Sequence, residues 1–258
     1  MAKWTAFPYD ADEYTYDAAT LKKHWARLHK GDAEPFPKDD AVLAAWAAFH
    51  AGNFRKAYDT GLKAGDAGIV VANKAQSIYA NYLESSEKAK LAMFMEVAER
   101  AEAQARANPK LANAHYWQAY ALGRYSQGIS VAKALTQGLG AKVKNALETT
   151  IALAPKHADA HIALGAFHAE VIDKVGKLLG KTQGADTATG LKMFKEALAL
   201  NPDSAIARVE YANGLVMLEG DKRMKEAEKL YAEAAECTPM DAMERLDVEM
   251  AKAELEDE

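Results

Sequence analysis

Cysteine, proline, glycine and long apolar runs are all scarce in this sequence of 258 residues. The single cysteine, Cys237, cannot form an intrachain disulfide, and one thiol is too few for a cysteine-based metal centre. No apolar run reaches the length of about 18 residues that spans a bilayer, so we expect no membrane span. The N-terminal residues include early acidic side chains and no apolar core, which argues against a signal peptide. We therefore expect a cytoplasmic protein.

Basic residues are not in excess either. The chain has 32 Lys and Arg against 37 Asp and Glu, and its net charge is −5. A nucleic-acid binder needs clustered Lys and Arg to displace counterions, so we expect no nucleic-acid partner. What the chain has instead is much alanine, and half of its residues are apolar. Abundant alanine with only 7 prolines and 16 glycines predicts long helices.

Four prolines organise the second half of the chain. The stretches that follow them are similar: Pro-Lys-Leu-Ala-Asn-Ala from Pro109, Pro-Lys-His-Ala-Asp-Ala from Pro155, Pro-Asp-Ser-Ala-Ile-Ala from Pro202 and Pro-Met-Asp-Ala-Met-Glu from Pro239. The intervals between them are 46, 47 and 37 residues. A proline cannot continue a helix but is tolerated at the start of the next. Self-similarity with this spacing predicts an array of helical repeats.

Residue types also recur before these prolines. Gly190, Phe194 and Ala197 precede Pro202 as Ala227, Tyr231 and Ala234 precede Pro239. This pattern resembles the tetratricopeptide repeat family, whose unit of about 34 residues is a pair of helices, A and B. The resemblance implies that small residues, such as Gly165 after Pro155, let the two helices approach closely while large residues fill the groove. Two further pairs are predicted upstream, over residues 43–57 and 69–107.

Two of the repeats are lengthened by about 12 residues between their helices. The additional residues, at about 126–140 and 171–186, are apolar at helical spacing and predict extended helices or short extra turns. Long repeats of this kind resemble the regulator of microtubule dynamics family and the solute-binding-associated tetratricopeptide proteins of bacterial transporters. That resemblance implies a nearly closed bundle with an apolar bore. The predicted fold is all-α, a right-handed solenoid of about five antiparallel helix pairs.

Both ends of the chain are predicted to cap this array. Leu21, Trp25 and Leu28 share one face of a helix predicted over residues 17–29. We therefore predict an N-terminal extension and capping helix over residues 1–38 and a single repeat domain over residues 39–258. The last helix, predicted over residues 241–255, carries acidic residues that suit a solvated terminal helix.

The sequence gives little support for a metal-binding, phosphate-binding or catalytic site. His157 and His161 could share one helical face, but they and His168 are interpreted as structural. Residues 175–182 resemble a phosphate-binding loop, yet Val175 stands where its first glycine is required, so we expect a helix end and a linker. No order of nucleophile, histidine and acid suggests hydrolysis. We predict no catalytic residue, no metal site, no cofactor and no enzymatic activity.

The resemblance implies that one stripe of each A helix lines the concave, partner-binding surface. The candidate binding residues in this stripe are Asn73, Ser77, Asn113, Tyr116, Tyr120, Arg124, Ile162, Val209 and Asn213. Amides, tyrosines and an arginine suit a protein segment, which predicts an adaptor or scaffold. Aliphatic members suit a hydrophobic small molecule such as a lipid, which predicts a carrier or sensor. An open groove with exposed Asn73, Tyr116, Tyr120 and Arg124 would favour the first function. A closed tunnel lined by Ile162, Val209 and Val216 would favour the second.

Overall fold

The computed structural model describes residues 4–256, and these residues form helices and no β-strand. Short 3-10 turns at Asp12–Tyr14, Gly65–Gly68 and Asp221–Arg223 supplement the α-helices. The α-helices of the described chain are α1 (Ala18–Leu28), α2 (Asp40–His50), α3 (Phe54–Lys63), α4 (Ile69–Tyr82), α5 (Glu87–Ala107), α6 (Ala112–Gln127), α7 (Val131–Thr136), α8 (Leu139–Leu153), α9 (Ala158–Thr182), α10 (Thr187–Leu200), α11 (Ala205–Glu219), α12 (Met224–Ala235) and α13 (Ala242–Glu256).

The prolines punctuate the helices as predicted. The helices α6, α9, α11 and α13 each begin three residues after a proline of the repeat. Proline cannot donate a hydrogen bond to the helix that precedes it, so the chain must leave that helix and start another. Side chains complete some of these starts: the Ser204 hydroxyl accepts from Ala207 N at 3.1 Å, and His157 Nδ1 accepts from Ala160 N at 3.1 Å.

The intramolecular contacts divide the chain into two compact units. Unit 1 contains the described residues up to His29 together with Glu34–Ser130 and Met240–Met243. In it α2 packs on α3, α3 on α4, α4 on α5, and α5 on α6. Unit 2 contains Lys30–Ala33, Val131–Pro239 and the described residues from Glu244 onward. In it α8 packs on α9, α9 on α10, and α11 on both α9 and α12.

This arrangement confirms the all-α repeat fold. The helix pairs α2–α3, α4–α5, α9–α10 and α11–α12 are packed helix on helix. The helix α6 belongs to unit 1, and α8 belongs to unit 2. The boundary predicted at residues 38 and 39, and the right-handed path of the solenoid, stay predictions.

Small residues and one aromatic ring set the packing of unit 2. The fully buried Phe194 of α10 lies against Gly165 of α9 and Gly214 of α11, and its ring stacks on Tyr211 at a centroid distance of 5.4 Å. Neither glycine leaves room for a β-carbon without movement of the ring. The predicted roles of Gly165 as the small residue and Phe194 as the filler are therefore confirmed.

The additional residues of the two lengthened repeats form different structures: a short extra helix in one and an extended helix in the other. Both structures were predicted as alternatives from the sequence. After α6 the additional residues form the separate short helix α7. After the core of α9 they continue as helix to Thr182, with a break at Gly176, where φ is 79° and ψ is 161°. A positive φ with extended ψ is accessible almost only to glycine, so this residue localises the break.

The terminal helices cover apolar surface within their units. In α1, Leu21, Trp25 and Leu28 are buried as predicted, and Trp25 Nε1 donates to Glu34 O at 2.8 Å. In α13, Val248 packs in a cluster with Ala205 and Val209. Within residues 4–256 no helix is both long enough and apolar enough to cross a bilayer.

Candidate partner-binding site

Four predicted site residues lie on successive turns of α6 in unit 1. Asn113 and Tyr116, at its start, are buried, with exposures of 4% and 5%. The Asn113 amide donates to the Glu34 carboxylate. Tyr120 and Arg124, further along the helix, are half-buried. The stripe therefore runs from the interior of unit 1 to its surface.

The outer end of α6 carries a compact aromatic group. The Tyr120 ring lies 5.2 Å from the Trp117 ring and 6.1 Å from the Tyr116 ring, centroid to centroid. The Arg124 guanidinium lies over Tyr120, 5.4 Å from the ring centroid, in a cation–π contact. We call Tyr120, Gly123 and Arg124, with Trp117 beneath them, the α6 patch.

Gly123 leaves space beside this patch. It is half-buried, and a β-carbon built on it would meet no atom of another part of the chain within 4 Å. Its φ lies outside the left-handed region, so the helix itself would accept a larger residue. Tyr120 and Arg124, on either side of Gly123 along the helix, are both half-buried.

Asn73 and Ser77 take a different position, because both are fully buried on α4. Asn73 Oδ1 accepts from Arg100 Nε at 2.7 Å, and Arg100 Nη2 donates to Gln76 Oε1 at 2.6 Å. Gln76 Nε2 in turn donates to Glu96 at 2.7 Å. Burial lowers the pKa of Arg100, since it removes water from the guanidinium. The Asn73 side chain therefore belongs to an internal polar network.

Two polar atoms of this region lack a hydrogen-bond partner among the described residues: Asn73 Nδ2 and the Ser77 hydroxyl oxygen. They lie one helical turn apart on α4. Neither side chain is exposed, and Tyr116 is also buried, so these three residues do not line an exposed surface of unit 1. Their assignment as binding residues stays a prediction.

The remaining three predicted residues are in unit 2, where neighbouring side chains occupy their surroundings. Ile162 packs with Ala197 and Ala207. Val209 packs in the cluster that includes Ala234. The Asn213 amide oxygen accepts from the Tyr231 hydroxyl at 2.6 Å. These contacts explain the residue types by the internal packing of unit 2, and their role in binding also stays a prediction.

Sequence reasoning missed a buried histidine cluster in unit 1. His50 Nδ1 lies 2.7 Å from Asp241 Oδ2, and His50 Nε2 lies 3.3 Å from His29 Nε2. Trp25 stacks on His29 at 3.9 Å and Trp46 stacks on His50 at 6.0 Å. Because Asp241 is 191 residues from His50, no local pattern could have indicated the pair. The cluster is enclosed by aromatic rings, which suits a structural role.

The histidines that could have bound a metal have backbone partners. His157 Nδ1 caps α9, and His161 Nδ1 is 3.0 Å from His157 O. His168 Nδ1 accepts from Asp186 N at 3.1 Å. Burial, with a smaller effect of the nearby Lys144 ammonium, lowers the pKa of His168. Among residues 4–256 there is no group of three or more potential metal ligands.

A model of the family described as "Regulator of microtubule dynamics protein 1-3" matches residues 53–257. The chain belongs to this family. The matched range begins at the turn before α3 and includes the α6 patch and both lengthened repeats. Both lengthened repeats lie within the matched range, in agreement with the resemblance of these long repeats to the regulator of microtubule dynamics family.

Solved structures support the repeat fold. The chain is similar to the crystal structure of a thermophilic TPR protein from Thermus thermophilus, with a TM-score of 0.59 and 17% sequence identity. The similarity covers 83% of this chain and 98% of that chain. At this identity the likeness concerns the fold alone. A search of curated proteins gives no significant match.

Proposed function

We propose that this member of the regulator of microtubule dynamics family is a non-enzymatic adaptor that binds a segment of a protein partner at the α6 patch. The observation that carries the proposal is the half-buried pair of Tyr120 and Arg124 beside the open space at Gly123. Tyr, Trp and Arg are the residues that dominate binding energy at protein interfaces.

The chemistry of the patch indicates the type of segment. Tyr120 is held by Trp117 beneath it and by Arg124 above it, so it loses little side-chain entropy on binding. The Arg124 guanidinium can donate paired hydrogen bonds to a carboxylate or to backbone carbonyls. A segment with an aromatic or aliphatic side chain next to an acidic one would complement both groups.

Three titratable groups with shifted pKa values, Arg100, His168 and Asp186, have structural roles, which supports binding rather than catalysis. Arg100 holds the internal amide network, and His168 accepts from the backbone of the α9–α10 connection. Hydrogen bonds from the Thr189 amide and hydroxyl lower the pKa of Asp186, which caps α10. The predicted cytoplasmic location remains a prediction from the sequence.

A hydrophobic small molecule is the alternative, and it receives less support. Ile162 and Val209 pack on neighbouring aliphatic side chains of unit 2 rather than bordering open space. Native mass spectrometry of protein purified from cells tests this alternative directly. A stoichiometric co-purifying lipid would favour the carrier function over the adaptor.

The adaptor proposal is tested by isolating a stoichiometric protein partner on the immobilised chain and measuring its affinity for two variants. We expect Tyr120→Ala and Arg124→Ala each to weaken binding by about 30-fold, the loss of a hot-spot residue worth about 2 kcal/mol. Arg106→Ala is the matched control, because Arg106 is also in unit 1 and its side chain is 72% exposed. Unchanged affinity of Tyr120→Ala, with folding intact by circular dichroism, would exclude the α6 patch as the binding site.

A further inference from the structure

The end of α9 in unit 2 folds back on itself. The break at Gly176 is followed by a short helical segment, and the backbone of Gly180 returns to Ile172, so close that a β-carbon on Gly180 would lie 3.1 Å from Ile172 Cγ1. In an unbroken helix two residues eight apart are separated by about 12 Å along the axis. Gly180 O then accepts from Ala185 N at 2.9 Å. We call residues 176–184, which form this bend, the α9 tip.

The apex of the α9 tip exposes two adjacent leucines. Leu178 is 83% exposed and Leu179 is 59% exposed, more than any other large apolar side chain of the described residues. Around them Gly176, Lys177 and Lys181 are exposed as well. A β-carbon at Gly176 would meet nothing within 4 Å. The two leucines therefore lie on an exposed bend of the chain, and most of their apolar surface remains in water.

The charge around these leucines is opposite in sign to that of the chain. The whole chain carries −5, yet residues 173–186 contain three lysines against two acids, Asp173 and Asp186, which lie at the two ends of this stretch. Lys174 pairs with Glu170 at 3.6 Å, which leaves Lys177 and Lys181 as the exposed charges at the apex. The nearest following acid, Asp186, accepts from Thr189 N at 2.8 Å and is engaged in capping α10.

We propose that the α9 tip docks on an anionic lipid surface, with Leu178 and Leu179 entering the headgroup region and Lys177 and Lys181 contacting lipid phosphates. A fluid anionic lipid surface can accept exposed leucines flanked by lysines without a preformed cavity, and its charge complements that of Lys177 and Lys181. Lysine stems also cover apolar surface while their ammonium groups remain at the headgroups. This inference goes beyond the adaptor function, and it rests on unit 2, whereas the α6 patch is in unit 1.

The size of the effect follows from the groups involved. Each lysine near an anionic surface strengthens binding by about fivefold, and each leucine removed from water by at least about tenfold. Neither contribution suffices for stable attachment alone, so both the leucines and the lysines are needed. Binding should weaken as salt screens the lysines.

Co-sedimentation of the full chain with vesicles tests the proposal. The probes are vesicles of equal parts phosphatidylcholine and phosphatidylglycerol, compared with vesicles of phosphatidylcholine alone. We expect the unaltered chain to sediment with the anionic vesicles only. The double variant Leu178→Ser/Leu179→Ser should remain in the supernatant, and Lys177→Glu/Lys181→Glu should bind at least about 25-fold more weakly. The control Leu153→Ser removes an exposed leucine of α8 in the same unit and should bind normally.

A spectroscopic measurement tests whether Leu178 enters the lipid, independently of sedimentation. An environment-sensitive dye is attached at Leu178→Cys in a Cys237→Ser background, because Cys237 is the only native thiol. We expect a blue shift with anionic vesicles, and none for the same dye at Leu62→Cys of unit 1. The proposal is overturned if the unaltered chain does not bind anionic vesicles or binds both vesicle types equally. It is also overturned if the Leu178→Ser/Leu179→Ser variant binds as well as the unaltered chain. Leucine-dependent self-association without vesicle binding would also overturn it and assign the tip to a second copy of the chain.

Discussion

The ring of Phe194 occupies the space over Gly165: a β-carbon at Gly165 would lie 2.9 Å from two ring carbons. Phe194 is fully buried, so the ring cannot move aside freely. We expect Gly165→Ala to lower the free energy of unfolding by about 1–3 kcal/mol, the usual cost of an additional methyl group in a packed core. Urea unfolding followed by circular dichroism measures it.

Gly123→Ala is the matched control for this prediction. Gly123 also lies inside a helix, but a β-carbon there meets nothing within 4 Å. Alanine restricts the unfolded chain, so this change should stabilise by about 0.5–1 kcal/mol. Equal losses in the two variants would contradict the assignment of the Gly165→Ala loss to the Phe194 contact.

Acid should destabilise the protein through His168. Its pKa is lowered by burial first and by Lys144 second, while Asp186 and Glu148 act in the opposite direction. The folded state therefore binds fewer protons at this site than the unfolded state, whose histidine pKa is about 6.5. The resulting stability is complete above that value and is lost as pH falls toward the lowered folded pKa.

Thermal unfolding between neutral and mildly acidic pH checks this behaviour. His168→Asn keeps an acceptor for Asp186 N, which is 3.1 Å from His168 Nδ1, but cannot titrate. The variant should lose less stability than the unaltered chain on acidification. Parallel pH profiles for both proteins would show that other groups cause the acid sensitivity.

The Arg100 network should contribute strongly to the stability of unit 1. Arg100→Met removes the donors to Asn73 Oδ1 and Gln76 Oε1 and leaves both buried acceptors unpaired. We expect a loss of at least about 2 kcal/mol. Arg106→Met is the control, because its side chain is 72% exposed, and it should change stability by less than about 0.5 kcal/mol. A small effect of Arg100→Met would indicate that other donors replace the guanidinium.

A double-mutant cycle tests the buried pair of His50 and Asp241. The two side chains are almost inaccessible to water and lie 2.7 Å apart, so removing either leaves the other without this partner. We expect His50→Leu and Asp241→Leu each to destabilise the protein, and the double variant to lose about 1–3 kcal/mol less than the sum. Additive losses would contradict an energetic link between the two residues.

The positions of the helices could be predicted from the sequence more fully than the surroundings of the candidate binding residues. Proline terminates a helix by its own covalent structure, so Pro109 or Pro202 acts in the same way in any context. The roles of Gly165 and Phe194 followed because the repeat pairs small and large residues at set positions. Asn73 shows the opposite case: its place in the stripe suggested a binding surface, while the structure buries it against Arg100, 27 residues away.

The sequence by itself determined the all-helical class, the helix starts after the prolines, the two lengthened repeats and the membership of a tetratricopeptide-like family. These properties depend on backbone hydrogen bonding and on side-chain spacing along one helix. Only the tertiary structure decided that Tyr120 and Arg124 are half-buried while Tyr116 is buried, that His50 contacts Asp241, and that Leu178 and Leu179 are exposed to water. Each of these depends on which surfaces distant helices cover, and burial of that kind is set by packing rather than by local spacing.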